Sequence, residues 1–204
     1  WRLGRPVRMT YTRPESMMST TKRHPSRIAV RLGASLDGTL VGIDVDAVFD
    51  TGAYASWGPT VANRVPVHAG GPYRYEAYRA RTAAVHTNNP PSGAFRGFGV
   101  PQAAIAQECM FDEMADVVGV DRLEFRRRNA LVAGAPTVTG QVFTAGVGYV
   151  DCLDALRPVW DRARQEARVA NSMDGPRRRV VGVAGVWYGC GNTALPNPST
   201  IKVG

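Results

Sequence analysis

From position 27 the chain runs Arg27-Ile28-Ala29-Val30-Arg31-Leu32, turns at Asp37-Gly38, and resumes as Val41-Gly42-Ile43-Asp44-Val45-Asp46-Ala47-Val48-Phe49. Apolar side chains recur at every second position: Ile28, Val30 and Leu32 before the turn, and Val41, Ile43, Val45, Ala47 and Phe49 after it. Successive side chains of a strand point to opposite faces, so this period predicts a β-hairpin with one buried face. Glycine at the turn accepts a positive φ without steric cost.

Beyond the hairpin, Asp50 to Pro72 contains four glycines and three prolines, which predicts irregular chain with a short helix near residues 61–68. A period of two returns from Tyr73 to Val85 and predicts another strand. In the loop Asn88-Asn89-Pro90-Pro91-Ser92-Gly93 two prolines remove backbone donors. Helix is expected from Pro101, with Ala103, Ala106, Met110, Met114 and Val117 as its apolar stripe and Gly119 as its stop. Asp121 is positioned to cap a second helix, with Glu124 three residues on as in a capping box. A third, from about Tyr149 to Val169, aligns Leu153, Leu156, Trp160, Ala163 and Ala167. Residues 171–179 resemble a polar linker, Val180 to Tyr188 is β-like, and Pro196-Asn197-Pro198 precedes a strand start at Ile201–Val203. Strands followed by helices predict an α+β fold, a mostly antiparallel sheet with helices packed on one side.

The 204 residues include 44% hydrophobic and 21% charged side chains, enough apolar surface to exclude a disordered chain. No uninterrupted apolar run of about 18 residues occurs, so a soluble protein is expected. The chain begins with Trp1 and shows no secretory pattern, which predicts a fragment of a longer cytoplasmic protein. Cys109, Cys152 and Cys190 lack metal-ligand spacing and are expected to be reduced, mostly buried thiols. His24, His68 and His86 are likewise expected to be structural.

Net charge is +8, and only Lys22 and Lys202 are lysines among 25 basic side chains. Eight of the basic groups fall in the first 31 residues against one acid, Glu15. Such an excess permits an alternative function: a non-catalytic module whose N-terminal segment and Arg126–Arg128 bind an anionic partner such as nucleic acid. No zinc-finger, helix-turn-helix or RNP-like signature accompanies the charge.

The stretch with most chemistry is Ser92-Gly93-Ala94-Phe95-Arg96-Gly97-Phe98-Gly99-Val100-Pro101-Gln102. Small residues surround one guanidinium and two aromatics immediately before a helix whose first amides lack intrahelical acceptors. Such a loop can offer amides and a positive helix end to an anion, with Phe98 as a flat apolar wall. It can equally be a tight turn with two core phenylalanines.

The ordered set Thr87-Asn88, Pro90, Gly93 to Gly99 and Pro101-Gln102 resembles the molybdenum-cofactor-binding subunit or domain of the xanthine dehydrogenase/aldehyde oxidase family of molybdenum hydroxylases. Gly4-Arg5-Pro6-Val7-Arg8 with Arg13, Arg23-His24-Pro25, Asp37-Gly38-Thr39-Leu40, Asp50-Thr51-Gly52-Ala53-Tyr54, Arg126 to Asn129, Trp187-Tyr188-Gly189 and Asn192-Thr193 extend that resemblance over nearly the whole chain. It implies oxidative hydroxylation of an N-heterocycle, purine- or nicotinate-like, or of an aldehyde, with oxygen derived from water and electrons leaving through iron–sulfur centres. It further implies a molybdenum–molybdopterin cofactor, the cytosine dinucleotide form being one option, held by Phe95, Arg96, Gly97 and Phe98. The backbone of Arg96 would lie near a molybdenum oxo ligand, Phe98 would hold a planar substrate, and Gly97 and Gly99 would let backbone approach the cofactor. Arg64 falls where purine-oxidising relatives carry an arginine that stabilises charge on the substrate, a catalytic and substrate-binding role. Trp187 or Tyr188 falls near a second substrate-flanking aromatic.

The family's upstream glycine-rich loop, its downstream GQG loop and its late glutamate are absent, and Glu108, Glu113 and Glu124 match none of them. The resemblance therefore implies the middle of a larger subunit, inactive alone, with iron–sulfur and FAD groups on partner domains or subunits and no membrane. Residues 1–170 would belong to a first molybdopterin-binding subdomain, 171–179 to a linker, and 180–204 to the start of a second.

Overall fold

A computed structural model describes residues 2–173 and 175–189 of the chain. Strands β1 (Ser26–Ala34) and β2 (Leu40–Gly52) form the expected antiparallel hairpin, with Ile28 opposite Ala47 and Leu32 opposite Ile43. The turn is held locally. Asp37 accepts from the Thr39 amide at 3.0 Å and from the Ser35 hydroxyl, contacts that bring its carboxyl down to about 2. Helices α2 (Gly58–Ala62) and α3 (Arg64–His68) replace the single short helix expected there, with Asn63 as the joint. Strand β3 (Ala77–His86) lies on the other side of β2, giving the order β1-β2-β3.

The α+β class holds, but β3 runs parallel to β2, so one of the two strand pairings departs from the mostly antiparallel sheet expected. Alternation is identical for both directions. Direction is decided by the connection, and the crossover carrying α2 and α3 is long enough to return the chain to the start of the sheet. The β2 side chains Ile43, Val45, Ala47 and Phe49 are buried against Val61, Ala62, Val65 and Ala69 of that crossover and Ala103 of the next helix. On the opposite face Asp44 pairs with Arg31 and Arg79, and Asp46 with Arg81. Helices thus lie on one side.

Helix α4 spans Val100–Val118 and α5 Arg122–Asn129. Asp121 caps α5 by accepting from the amides of Leu123 and Glu124, while the Glu124 carboxylate pairs with Arg157. Helix α6 (Tyr149–Ser172) runs three residues past the expected end; its Leu153, Trp160 and Ala167 are buried and Leu156 is partly exposed. The first helix of the chain, α1 (Arg13–Ser19), was not expected from the sequence and is closed by a Thr12–Glu15 capping box. Its signal was the Thr12-Arg13-Pro14-Glu15 spacing. The β-like stretch at 180–188 forms no ladder among the described residues; its Val181 and Val183 pack against the cluster of Leu123, Ala130, Leu153 and Trp160. The expected strand at 201–203 lies outside the described residues.

The buried face of α4 is Val100, Ala103, Gln107, Glu108, Phe111 and Ala115, with Val117 turned outward. Hydrophobicity alone mis-set this face because two of its members are polar. Arg126, wholly buried, donates from Nε to Glu108 Oε2 at 2.7 Å and pairs through its Nη2 with Asp112 at 2.9 Å. Tyr73 completes the node, donating to Glu108 Oε1 at 2.7 Å and meeting the Tyr149 hydroxyl at 2.7 Å. One cluster thereby ties α4 to α5, α6 and the approach to β3. Replacing Glu108 with Ala would leave a buried guanidinium short of its partner, an expected loss of roughly 3–5 kcal/mol. Urea denaturation of the full-length protein measures it, and a loss below about 1 kcal/mol would remove the node from this role.

Candidate functional site

The loop before α4 is built by a left-handed turn. Gly97, Phe98 and Gly99 have φ of 89°, 49° and 96°, and the Phe98 and Val100 amides donate to the carbonyls of Phe95 and Gly97 at 2.8 and 2.9 Å. A Cβ at Gly99 would collide with the Val61 carbonyl oxygen of α2, so this backbone approach demands glycine. The amides of Arg96 and Gly97 have no acceptor among the described residues.

Arg23 straps the loop from outside. Its guanidinium donates to the Arg96 carbonyl at 2.5 Å and to Gln102 Oε1 at 3.3 Å, and stacks over Phe95 at 4.7 Å. Gln102 in turn donates to the His24 carbonyl, and the Gly93 amide to that of Lys22. Arg-His-Pro and the glycine loop, about 70 residues apart in sequence, are therefore one unit. Sequence reading found both segments but not the role of Arg23.

The structure separates some of the candidate residues and unites others. Phe95 and Arg96 are exposed, and the Phe95 ring lies on the Arg23 side. Phe98 is half-buried on the other, where the Arg64 guanidinium carbon lies 5.8 Å from its ring centroid and Trp57 meets it edge-on at 6.1 Å. Arg64 opens α3, and its carbonyl accepts from His68 Nδ1 at 3.1 Å. Tyr188 stacks on the buried His68 ring at 5.7 Å, placing the 187–188 aromatics one helical turn from Arg64. Gly97 also lines an apolar cleft of about 630 Å³ between α4 and residues 183–188, with Ala104, Ile105 and Cys109. Trp57 was missed by sequence reading, since an aromatic in a Gly/Pro-rich stretch gives no sign of a partner 41 residues later.

Several expectations require correction. Cys109 and Cys152 are exposed free thiols, because their helix positions lie off the buried stripes; Cys190 lies outside the described residues. The run Arg126–Arg128 is no open anion-binding surface: Arg126 is buried, Arg127 pairs with Asp154 and Arg128 lies near Glu124. Among the described residues no helix is long and apolar enough to cross a membrane.

The fold presents a glycine-rich turn at the head of a long helix. Residues 1–130 match the molybdopterin cofactor-binding domain, and the chain belongs to that domain family, of the xanthine dehydrogenase and aldehyde oxidoreductase type. Among similar proteins, the nicotinate dehydrogenase large molybdopterin subunit of Eubacterium barkeri is 44% identical over 153 residues, covering 75% of this chain and 36% of that protein. The xanthine dehydrogenase molybdenum-binding subunit of Escherichia coli O157:H7 is 37% identical over 188 residues, covering 89% of this chain and 24% of that one. Aldehyde oxidoreductase from Desulfovibrio gigas superposes with a TM-score of 0.74 at 33% identity, covering 78% of this chain and 17% of that chain. The chain thus spans about a third or less of these relatives.

The two buried imidazoles make a pH prediction. Burial pushes His24 and His68 below the ordinary histidine value, against Asp50 for the first and the Arg64 carbonyl bond for the second. Their neutral forms fit the fold, so their contribution is complete above the unfolded value of about 6.5 and is lost as pH falls below it. Thermal melts from pH 7.5 to 5 should show the midpoint falling, and His24→Phe should flatten that slope; an unchanged slope would exclude His24 as a source.

Proposed function

We propose that this chain is part of a molybdenum hydroxylase that oxidises an N-heterocycle, purine- or nicotinate-like, with an aldehyde as the other substrate class. The observation that carries this is the guanidinium of Arg64 beside the ring of Phe98. A flat apolar surface next to a fixed cation suits a planar ring that gains negative charge as it reacts. The resemblance in sequence to a nicotinate dehydrogenase subunit and a xanthine dehydrogenase subunit supports the same substrate class.

The residues present fit a molybdopterin on one local ground: the Arg96 and Gly97 amides have no acceptor among the described residues, beside an exposed arginine, on a turn in which Gly97 and Gly99 take positive φ and Gly99 leaves no room for a Cβ. Phe95, Arg96, Gly97 and Phe98 would hold the group, with the Arg96 backbone toward the metal. When bound, it supplies two-electron oxidation with oxygen drawn from water. Phe98 binds and orients the substrate ring. Arg64 holds the charge that develops on it, a contribution made mainly in the transition state. Arg23 keeps the loop in place by fixing the Arg96 carbonyl. Iron–sulfur centres and FAD belong to partner domains or subunits in this proposal, residues 1–170 to a first molybdopterin-binding subdomain, and 180–204 to the start of a second after the 171–179 linker.

Two variants of the full-length protein test this. Arg64→Met should lower kcat with nicotinate or xanthine by about 100-fold while changing aldehyde oxidation little; the opposite pattern would overturn the assignment. Phe98→Ala should raise KM for those rings with molybdenum content unchanged, and an equal loss of metal would make Phe98 structural.

A further inference from the structure

We propose that Arg23 is a positioning residue for the cofactor-facing side of the glycine turn: acting through the Arg96 carbonyl, its charge aims the Gly97 N–H at an anionic oxygen of the bound group and strengthens that donor. This rests on the turn holding the cofactor, as proposed above. The Arg96 carbonyl and the Gly97 N–H are the two ends of one peptide unit, and no cis peptide bond occurs among the described residues. In a planar trans unit the N–H points opposite to the carbonyl. Arg23 donates from Nη2 to the Arg96 carbonyl at 2.5 Å, so the Gly97 N–H is turned away from the guanidinium.

The preceding peptide unit is arranged in the same way. Its Phe95 carbonyl accepts from the Phe98 amide at 2.8 Å, and the N–H at its other end, that of Arg96, has no acceptor among the described residues. Two consecutive units thus have their carbonyls engaged and their amides open. The partners of the two carbonyls differ: one is a neutral amide, the other a full positive charge. A charged donor binds roughly twice as strongly as a neutral one and polarises the unit it holds, which makes the N–H at the far end a better donor. Arg23 is half-buried, and among the described residues it has no carboxylate partner; its other contacts are Gln102 Oε1 at 3.3 Å and the Phe95 ring at 4.7 Å. Its backbone is fixed on both sides. The Lys22 carbonyl accepts from the Gly93 amide at 3.0 Å, and His24 is buried against the Phe49 ring. An anchor for the Arg96 carbonyl needs only a donor, not a charge. Holding a cation half-buried without an acid costs desolvation, and an anion on the far side of the same peptide offsets it.

The test uses the molybdenum-loaded full-length protein and two variants: Arg23→Gln keeps a donor and removes the charge, and Arg23→Lys keeps the charge. A positive charge near the metal favours its reduced state, so Arg23→Gln should lower the molybdenum midpoint potential by about 59 mV, tenfold in the one-electron equilibrium. It should also lower kcat per molybdenum by about 10-fold for heterocycles and aldehydes alike, with KM changed less than about 3-fold, since Arg23 is placed against the turn and not against substrate. Arg23→Lys should stay within about threefold of the unaltered protein on both scales. If Arg23→Gln moves neither quantity, or Arg23→Lys moves them equally, while Arg64→Met and Phe98→Ala behave as stated above, the role of Arg23 is refuted and the cofactor site stands. If the unaltered protein holds no molybdenum, that site is refuted and the inference with it. Should Arg23→Gln fail to retain molybdenum, retention by Arg23→Lys supports the need for charge, and equal loss in both makes Arg23 an anchor and overturns the proposal.

Discussion

Three successive residues in the left-handed region, Gly97, Phe98 and Gly99, form the constraint on which this site depends. Two are glycine, for which the conformation costs nothing; the third is a phenylalanine, for which it costs on the order of 1–3 kcal/mol. The turn reverses the chain just before α4, drives Gly99 against the Val61 carbonyl, and sends the Phe98 ring toward Arg64 while Phe95 goes to Arg23. One aromatic therefore meets Arg23 and the other Arg64, although they are three residues apart.

Helix α4 carries that turn, and its placement is secured at a distance from the loop. Its head rests on α2; its middle is held by Arg126, which bonds Glu108 through both side chain and carbonyl and is stacked near Phe111. A buried ion pair is weak evidence for net stability, because desolvation opposes the Coulomb gain. Its geometric effect is less ambiguous. With Tyr73 and Tyr149 in the same network, α4 cannot turn about its axis without leaving several buried polar atoms unpaired.

Among the described residues ten of the 23 arginines pair with acidic side chains. Asp44 takes Arg31 and Arg79, Asp112 and Asp116 take Arg122, and Asp121 takes Arg157 and Arg164 while also accepting from Trp160 at 3.0 Å. What remains near the loop is a smaller group, Arg23, Arg64 and Arg96, each with a different geometry and only one beside the Phe98 ring.

The sequence alone determined the local periods: the hairpin, α4 with its stop at Gly119, the Asp121 cap and α6, since each is written in residues a few positions apart. It also singled out the 93–102 loop as the candidate site, through an ordered set of motifs that resembles a known family. The tertiary structure decided the direction of β3, which alternation cannot encode, and the true buried face of α4, where Glu108 counts as interior only because Arg126 arrives from another helix. It also decided which side chains meet. Trp57 and Arg64 each meet the Phe98 ring because α2 and α3 pack against the turn before α4, and no pattern of neighbours along the chain specifies a contact made by folding two distant segments together.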